Sequence, residues 1–375
     1  MDKKLNVLFL CSWYPNRVLP TNGNFIQRHA EAVNTLHNVS VVHIITDQNA
    51  NQNIEIDSKN INGVDTHIAY LKPTNNPIVK CIRYYKSYKK ILKKLEQTPN
   101  ILHLNVLYPF GILALYSKFF LKTPFLVSEH WSGYKPILNK KISSLKKAVM
   151  KLVTANANFI CPVSNELAKT MQDFGLKGNY SPVPNVVDTF LFTPSKENNK
   201  KFIITHISSL DNECKNISGI LNVISRLEDK IPNLEFNLIG KTKENPFIES
   251  KKKTIKNINS INHIPHEELV RYLRNSDVFV LFSNYENLPC VILEAFSCGI
   301  PVVSTNVGGI SEHFPENFGY LIAVQDELSL EKSILKIYNS ELNYDKKAMH
   351  QYVENHFSPK TIATSFTKLY NEALS

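Results

Sequence analysis

Val278-Phe279-Val280-Leu281-Phe282 is followed by Ser283-Asn284-Tyr285-Glu286-Asn287-Leu288-Pro289, then by Cys290 to Ser297 and a break at Gly299. Five consecutive apolar residues read as a buried strand and the polar stretch as a loop. Pro289 marks the start of a helix, because proline fits the first helical turn, where its missing N–H would be unpaired anyway. Glu286 is therefore placed on the loop and Glu294 within the helix. A helix N-terminus beside such a loop favours anions, since free N–H groups and the helix dipole both attract phosphate. One carboxylate beside that anion could take sugar hydroxyls, and the other ribose hydroxyls.

Outward from this stretch, short apolar runs alternate with helix-length amphipathic segments. The runs are Leu5 to Leu10, Val39 to Ile45, Ile101 to Leu104, Phe125 to Val127 and Phe159 to Val163, then Phe202 to Ile207, Leu234 to Ile239 and Val302 to Val303. Such alternation predicts α/β architecture with mostly parallel, doubly wound sheets. The polar stretch Thr193 to Lys200 interrupts it and suits a linker. Two domains are expected, 1–190 and 191–358. Ligands of these sheets bind outside the carboxyl ends of the strands, so two facing domains would hold a substrate in the cleft between them.

Length and composition agree with this reading. The 375 residues suit about two domains, and 43% hydrophobic with 20% charged residues excludes fibrous or low-complexity classes. Six scattered cysteines, with no C-x-x-C pair and no zinc spacing, argue against a disulfide framework or a structural metal and fit a reducing, cytoplasmic compartment. Leu5 to Leu10 is too short for a signal-peptide core. Val106 to Val127 is broken by Lys118, Lys122 and Pro109-Phe110-Gly111, so it lacks the ~20 apolar residues of a spanning helix. Any membrane contact is expected to be peripheral.

The net charge of +10 is uneven: residues 1–190 carry 23 Lys and Arg against 11 Asp and Glu, and the remainder 20 against 22. Two basic helices near 80–94 and 140–151 account for much of the excess. In the first, Ile82, Tyr85, Tyr88, Leu92 and Leu95 are expected to face inward, with Arg83, Lys86, Lys90, Lys93 and Lys94 outward. In the second, Ile142, Leu145, Val149 and Leu152 are expected inward, with Lys140, Lys147 and Lys151 outward. Such runs fit solvated faces, and equally attraction to an anionic membrane surface at about 1 kcal/mol per basic residue. No zinc finger, RNP-like motif or basic zipper accompanies them, so nucleic acid is not the expected partner.

Taken in order, Ser283 to Pro289, Glu294-Ala295-Phe296-Ser297-Cys298-Gly299-Ile300-Pro301 and Gly308-Gly309-Ile310-Ser311-Glu312 resemble the donor-binding signature of the family 4 retaining glycosyltransferases. Asn22-Gly23-Asn24-Phe25 looks like that family's glycine loop, whose backbone approaches the donor phosphate, and Ser128-Glu129-His130 is similar to its strand-end histidine motif. Pro184 to Asp188 resembles the segment closing the N-terminal domain, and 359–375 its C-terminal helix that crosses back to that domain. The resemblance implies a GT-B fold, two facing Rossmann-like domains with a cleft, and a nucleotide-diphosphate-sugar donor. It implies Lys215 and the Gly23 N–H on the phosphate, and Glu286 on the sugar as an orienting group. Glu294 would hold the ribose, the backbone of Asn287 and Leu288 would reach the sugar or phosphate, and His130 would contact the donor sugar, with general base as its alternative catalytic role.

One position departs from the family pattern. The usual Gly-Arg-Leu turn reads Ser208-Ser209-Leu210, so Ser209 stands where an arginine would meet the diphosphate, while Lys215 is retained. A hydroxyl can hydrogen-bond phosphate but cannot neutralise its charge. The expected activity is retaining, metal-independent hexosyl transfer to a glycan or lipid-linked acceptor in surface polysaccharide or lipopolysaccharide synthesis. Neither cofactor nor metal is expected. A nucleotide-sugar epimerase of the same architecture and a catalytically degenerate glycan- or membrane-binding protein are the competing readings.

Overall fold

The computed structural model describes residues 4–136, 138, 142–194, 201–242, 246–251 and 255–375; Lys140 and 195–200 of the expected linker lie outside them. The chain divides into two compact units, Met1–Val186 with Pro359–Ser375, and Val187–Ser358.

In the first unit, β1 (Asn6–Cys11), β2 (Asn38–Thr46), β3 (Ile54–Ile61), β4 (Val64–Leu71), β5 (Ile101–Asn105), β6 (Phe125–Glu129) and β7 (Phe159–Pro162) form one sheet. Its order is β3-β4-β2-β1-β5-β6-β7, parallel throughout except for β3 against β4. In the second unit, β8 (Phe202–Ile207), β9 (Leu234–Ile239), β10 (Ile258–Ile261), β11 (Val278–Leu281), β12 (Val302–Thr305) and β13 (Gly319–Ile322) are all parallel, in the order β10-β9-β8-β11-β12-β13. Numbered among parallel strands alone, each sheet runs 3-2-1-4-5-6, the doubly wound order of Rossmann domains. Strand order thus reverses between β1 and β5, and between β8 and β11.

Each sheet is buried by its own helices. Phe9, Val41, Ile26 and Val33 pack with Ile362, Phe366 and Tyr370 of the helix Pro359–Leu374, whose Tyr370 hydroxyl lies 2.7 Å from His103 Nδ1. In the second unit Ile204, Phe236, Val280 and Phe282 pack against Leu221 and Ile224 of the helix Ile217–Leu227.

Two features differ from the sequence expectations. The hairpin of β3 and β4 was not expected, although Asn62 (φ 51) and Gly63 (φ 85) form the two-residue left-handed turn that an Asn-Gly pair favours. The basic helices are also rotated. In the helix Pro77–Leu92 the buried residues are Ser87, Tyr88 and Ile91, so Tyr88 faces inward as expected, whereas Ile82 and Tyr85 are 46% and 37% exposed. In the helix Ser144–Asn156 they are Met150, Val153 and Thr154, whereas Leu145 and Leu152 are 76% and 54% exposed. Both buried arcs lie roughly a quarter turn from the expected stripe at 100° per residue. Each helix carries a second apolar strip, and packing has taken the other one.

Candidate functional site

In the second unit the crevice at the reversal of strand order is built from the chain leaving β8 and β11. After β8, Ser208-Ser209-Leu210 turns sharply, with Leu210 in the left-handed region (φ 61). Ser208 Oγ lies 2.7 Å from His206 Nε2 and accepts from Leu210 N at 3.0 Å, while His206 Nδ1 lies 2.8 Å from Val280 O. Burial lowers the His206 imidazole to about 4, so it is neutral at neutral pH. The turn rests on Gly240, where an added Cβ would fall 2.2 Å from Ser208 O. Ser209 is exposed on this turn.

The short helix Asn212–Lys215 follows, and the loop after β11 is tied to it. Asn284 N donates to Cys214 O at 2.7 Å, and Asn284 Nδ2 to Glu213 O at 2.8 Å. Lys215 Nζ thereby meets Glu286 Oε1 in an ion pair, and Ser283 Oγ donates to the same oxygen at 2.8 Å. The paired side chains are only 16% and 11% exposed. Burial works against the Lys215 charge, but the neighbouring Glu286 carboxylate outweighs it and holds the amine above its ordinary value, so the lysine is an ammonium at neutral pH.

The Gly308-Gly309 turn fixes the height of this loop. Gly308 is left-handed (φ 60), and a Cβ there would sit 2.3 Å from Glu286 O and 2.7 Å from Asn287 O. Gly309 N donates to Asn287 O at 2.8 Å, and Leu288 is buried. The helix Cys290–Ser297 follows Pro289 as expected and carries Glu294. Glu294 is 1% exposed, with Oε1 2.8 Å from Nε2 of His266, the first residue of the helix His266–Arg274. Sequence reasoning missed Ser283 and His266. A carboxylate between Leu293 and Ala295 on a helix facing the core demands a partner, but nothing in the spacing points to a histidine 28 residues upstream.

In the first unit, Gly23 (φ 74) precedes the helix Asn24–Asn34 and its carbonyl accepts from Ile26 N and Gln27 N. The close approach it permits is to its own chain, since a Cβ would lie 2.7 Å from Trp13 C and 2.9 Å from Tyr14 N in the loop after β1. Phe25 brings this segment to His130, with ring centroids 4.6 Å apart. Burial, with the nearby His29 and His103, keeps the His130 imidazole well below its ordinary value, against a raising hydrogen bond with Asn185. Glu129, which sequence reasoning left without a role, anchors the motif. It is fully buried, and its carboxylate accepts from the backbone of Leu107, His130 and Trp131 and from the Tyr134 hydroxyl at 2.6 Å. Ser209, Lys215, Glu286, Asn287, Leu288 and Glu294 thus belong to the second unit, and Gly23 and His130 to the first.

Known proteins share both halves of this design. Residues 187–356 match the family "Glycosyl transferases group 1" and residues 23–190 match "Glycosyltransferase Family 4". Among curated proteins, a subunit of the Homo sapiens phosphatidylinositol N-acetylglucosaminyltransferase is 27% identical over 199 residues, 51% of this chain and 40% of its own length. A Bacillus subtilis glycosyltransferase named for teichuronic acid biosynthesis is 22% identical over 267 residues, 68% of this chain and 65% of its own. The human relative is thus matched over less than half its length. Among solved structures, the sucrose-phosphate synthase of Thermosynechococcus elongatus superposes with a TM-score of 0.79 at 18% identity, covering 98% of each chain. Anabaena Alr3699/HepE, in complex with UDP and glucose, superposes at 0.73 and 14%, covering 97% of this chain and 98% of that one. With both sheets in Rossmann order and the two family matches together taking in residues 23–356, the chain belongs to the family 4 glycosyltransferases of GT-B fold.

Proposed function

We propose that the chain transfers a hexosyl group from a nucleotide-diphosphate-sugar to a glycan or lipid-linked acceptor, with retention and without a metal. The observation that carries this reading is the Lys215–Glu286 pair, largely withdrawn from water at the carboxyl ends of β8 and β11 where strand order reverses. A preformed ammonium there is placed for a departing diphosphate, and such preorganised charge supplies most of the stabilisation in reactions of this class.

The bond between the anomeric carbon and the phosphate oxygen breaks as the acceptor oxygen bonds that carbon from the same face. The acceptor proton passes to the departing phosphate oxygen. Lys215, the Ser209 hydroxyl and the Gly23 N–H serve the phosphates, and Glu286 orients and stabilises the sugar. Glu294 serves the ribose, the backbone of Asn287 and Leu288 the sugar or phosphate, and His130, held neutral, the donor sugar. The relative named for teichuronic acid synthesis and a structural neighbour titled lipopolysaccharide outer core galactosyltransferase support a role in surface polysaccharide or lipopolysaccharide synthesis. The acceptor would be met at the cytoplasmic face of a membrane, to which the basic helices are drawn. Among the described residues, no helix is long and apolar enough to cross a membrane.

A thermal-shift screen of nucleotide-sugars tests the donor, since a ligand of the native state raises the melting temperature by mass action. One nucleotide-sugar should stabilise the protein, and Glu286→Ala should abolish acceptor-dependent nucleotide release while leaving the fold intact. A Glu286→Ala protein with unchanged turnover would sink the site assignment.

A further inference from the structure

The amino-terminal halves of β1 and β5 carry a cavity of about 320 Å³, at the opposite end of the first sheet from the carboxyl ends where its ligand crevice lies. Its wall is mostly apolar, with Leu8, Leu92, Leu95, Leu102, Tyr116 and Leu121 beside the polar Gln97, Thr98 and Thr123, and its mouth carries the exposed Lys89 and Lys93. Among the described residues, no Asp or Glu lines it. Two buried hydroxyls of its wall are already paired: Tyr88 OH lies 2.7 Å from Ser117 Oγ, which also donates to Leu113 O at 3.1 Å. The wall therefore asks for an apolar guest, and the mouth for an anion.

The surface beside the mouth is built to meet a lipid phase. Phe119, Phe120 and Leu121 are 52%, 74% and 44% exposed, and an aromatic ladder of Tyr85, Tyr116 and Phe120 runs between the helices Pro77–Leu92 and Gly111–Phe120 with centroids 5.1 and 5.3 Å apart. The apolar strips of the rotated helices are exposed in the same unit. From Thr66 to Asn165 the sequence holds sixteen Lys and Arg but only two acidic residues, Glu96 and the buried Glu129. Apolar side chains interleaved with cations, and almost no carboxylate, are complementary to an anionic bilayer.

We propose that this cavity takes up one acyl chain of an anionic bilayer lipid, whose phosphate is met by Lys89 and Lys93. The inference deepens the membrane reading above and is independent of the donor site. Headgroup attraction alone gives no fixed stoichiometry and no dependence on chain length, whereas an acyl pocket gives both.

The test is calorimetric titration of the full chain with dodecyl phosphate below its micelle concentration, beside octyl phosphate, inorganic phosphate and dodecyltrimethylammonium. One dodecyl phosphate should bind per chain, up to about fourfold more tightly for each methylene added until the cavity is full. Leu92→Trp, which fills the cavity, should remove this binding, and Lys89→Glu with Lys93→Glu should weaken it at least tenfold. A cooperative thermal melt followed by circular dichroism reports that each variant is folded, and Leu121→Trp is the second blocking variant. Equal binding of inorganic phosphate, several alkyl phosphates per chain, or unchanged binding in both tryptophan variants would overturn the proposal. Sedimentation with phosphatidylglycerol vesicles, run in parallel, reads headgroup attraction separately.

Discussion

Replacing Glu286 by Gln should slow transfer and yet tighten the binding of the nucleoside diphosphate product. In the resting site the Lys215 ammonium is already occupied by Glu286, and both side chains are largely withdrawn from water. Charges about 4 Å apart attract by about 4 kcal/mol at an effective dielectric of about 20. A diphosphate that recruits Lys215 must loosen this attraction. Recovering a quarter to a half of it gives about 1–2 kcal/mol, or roughly five- to thirtyfold in Kd. Glutamine keeps an oxygen for the Ser283 hydroxyl, which donates to Glu286 Oε1 at 2.8 Å, so the loop should hold its place. The variant also removes the strongest raising influence on Lys215 while leaving its burial, so the lysine should titrate lower and the alkaline limit of diphosphate binding should move to lower pH. Calorimetric titration with the nucleoside diphosphate of the donor's base, alongside initial rates, reads both effects. Weaker diphosphate binding at neutral pH in a folded Glu286→Gln protein would refute the competition and place Glu286 in direct contact with the nucleotide instead.

The legibility of this chain in its sequence follows the range of the interactions that built each part. Fully buried strands such as β8 and β11 read as unbroken apolar runs, and Pro289 and Gly299 bracket their helix by local backbone rules, so the doubly wound pattern and the position of Glu286 were visible. The antiparallel edge of the first sheet carried its signal in Asn62-Gly63, but β3 (IEIDSKNI) is mostly polar and half-exposed, and an apolar-run criterion passes over it. The basic helices failed for a different reason. Periodicity reports that an apolar stripe exists, and when two stripes share a helix only tertiary packing decides which is buried. Gly111 records that decision, since a Cβ there would lie 2.6 Å from Val153, the residue that turns the helix Ser144–Asn156 inward. The Lys215–Glu286 and His266–Glu294 pairs span 71 and 28 residues and depend on strand order, which no local pattern encodes.

The same geometry sets three further expectations. Gly308→Ala should push the Glu286–Asn287 backbone aside and cost roughly 1–3 kcal/mol of stability, together with most of the transfer activity. Denaturant midpoints and rates check this, and a fully active variant would separate the turn from the site. His266→Ala removes a hydrogen-bond partner from a buried carboxylate and should cost about 1–3 kcal/mol, with partial rescue by His266→Gln, which can still donate to Glu294. Equal stability of the two variants would show that the contact carries no hydrogen bond of consequence. Mild acid should destabilise the first unit before the second. Burial lowers the imidazoles of His29 and His43 in the first unit and His206 in the second to about 4, and holds His103 and His130 well below their ordinary value. An unfolded histidine binds its proton near pH 6.5, so between about 6.5 and 4 the unfolded chain holds more protons than the native one, and stability falls as pH falls through that window. At pH 5 each imidazole held at about 4 costs about 2 kcal/mol, and the first unit holds five of the seven lowered rings, His37 included, against His206 and His313 in the second. Glu129 works in the opposite sense, because burial raises its carboxyl and lets the native state take up a proton first, but it is a single group. Melts followed by circular dichroism from pH 7 to 5 should therefore separate into two transitions, and His29→Gln, which removes one titrating ring, should make the lower one less sensitive to pH by about 2 kcal/mol between pH 7 and 5 while leaving the upper one unchanged. A single transition whose midpoint does not move over this range would mean that the buried imidazoles are already protonated at neutral pH or reach water, against the packing that encloses them.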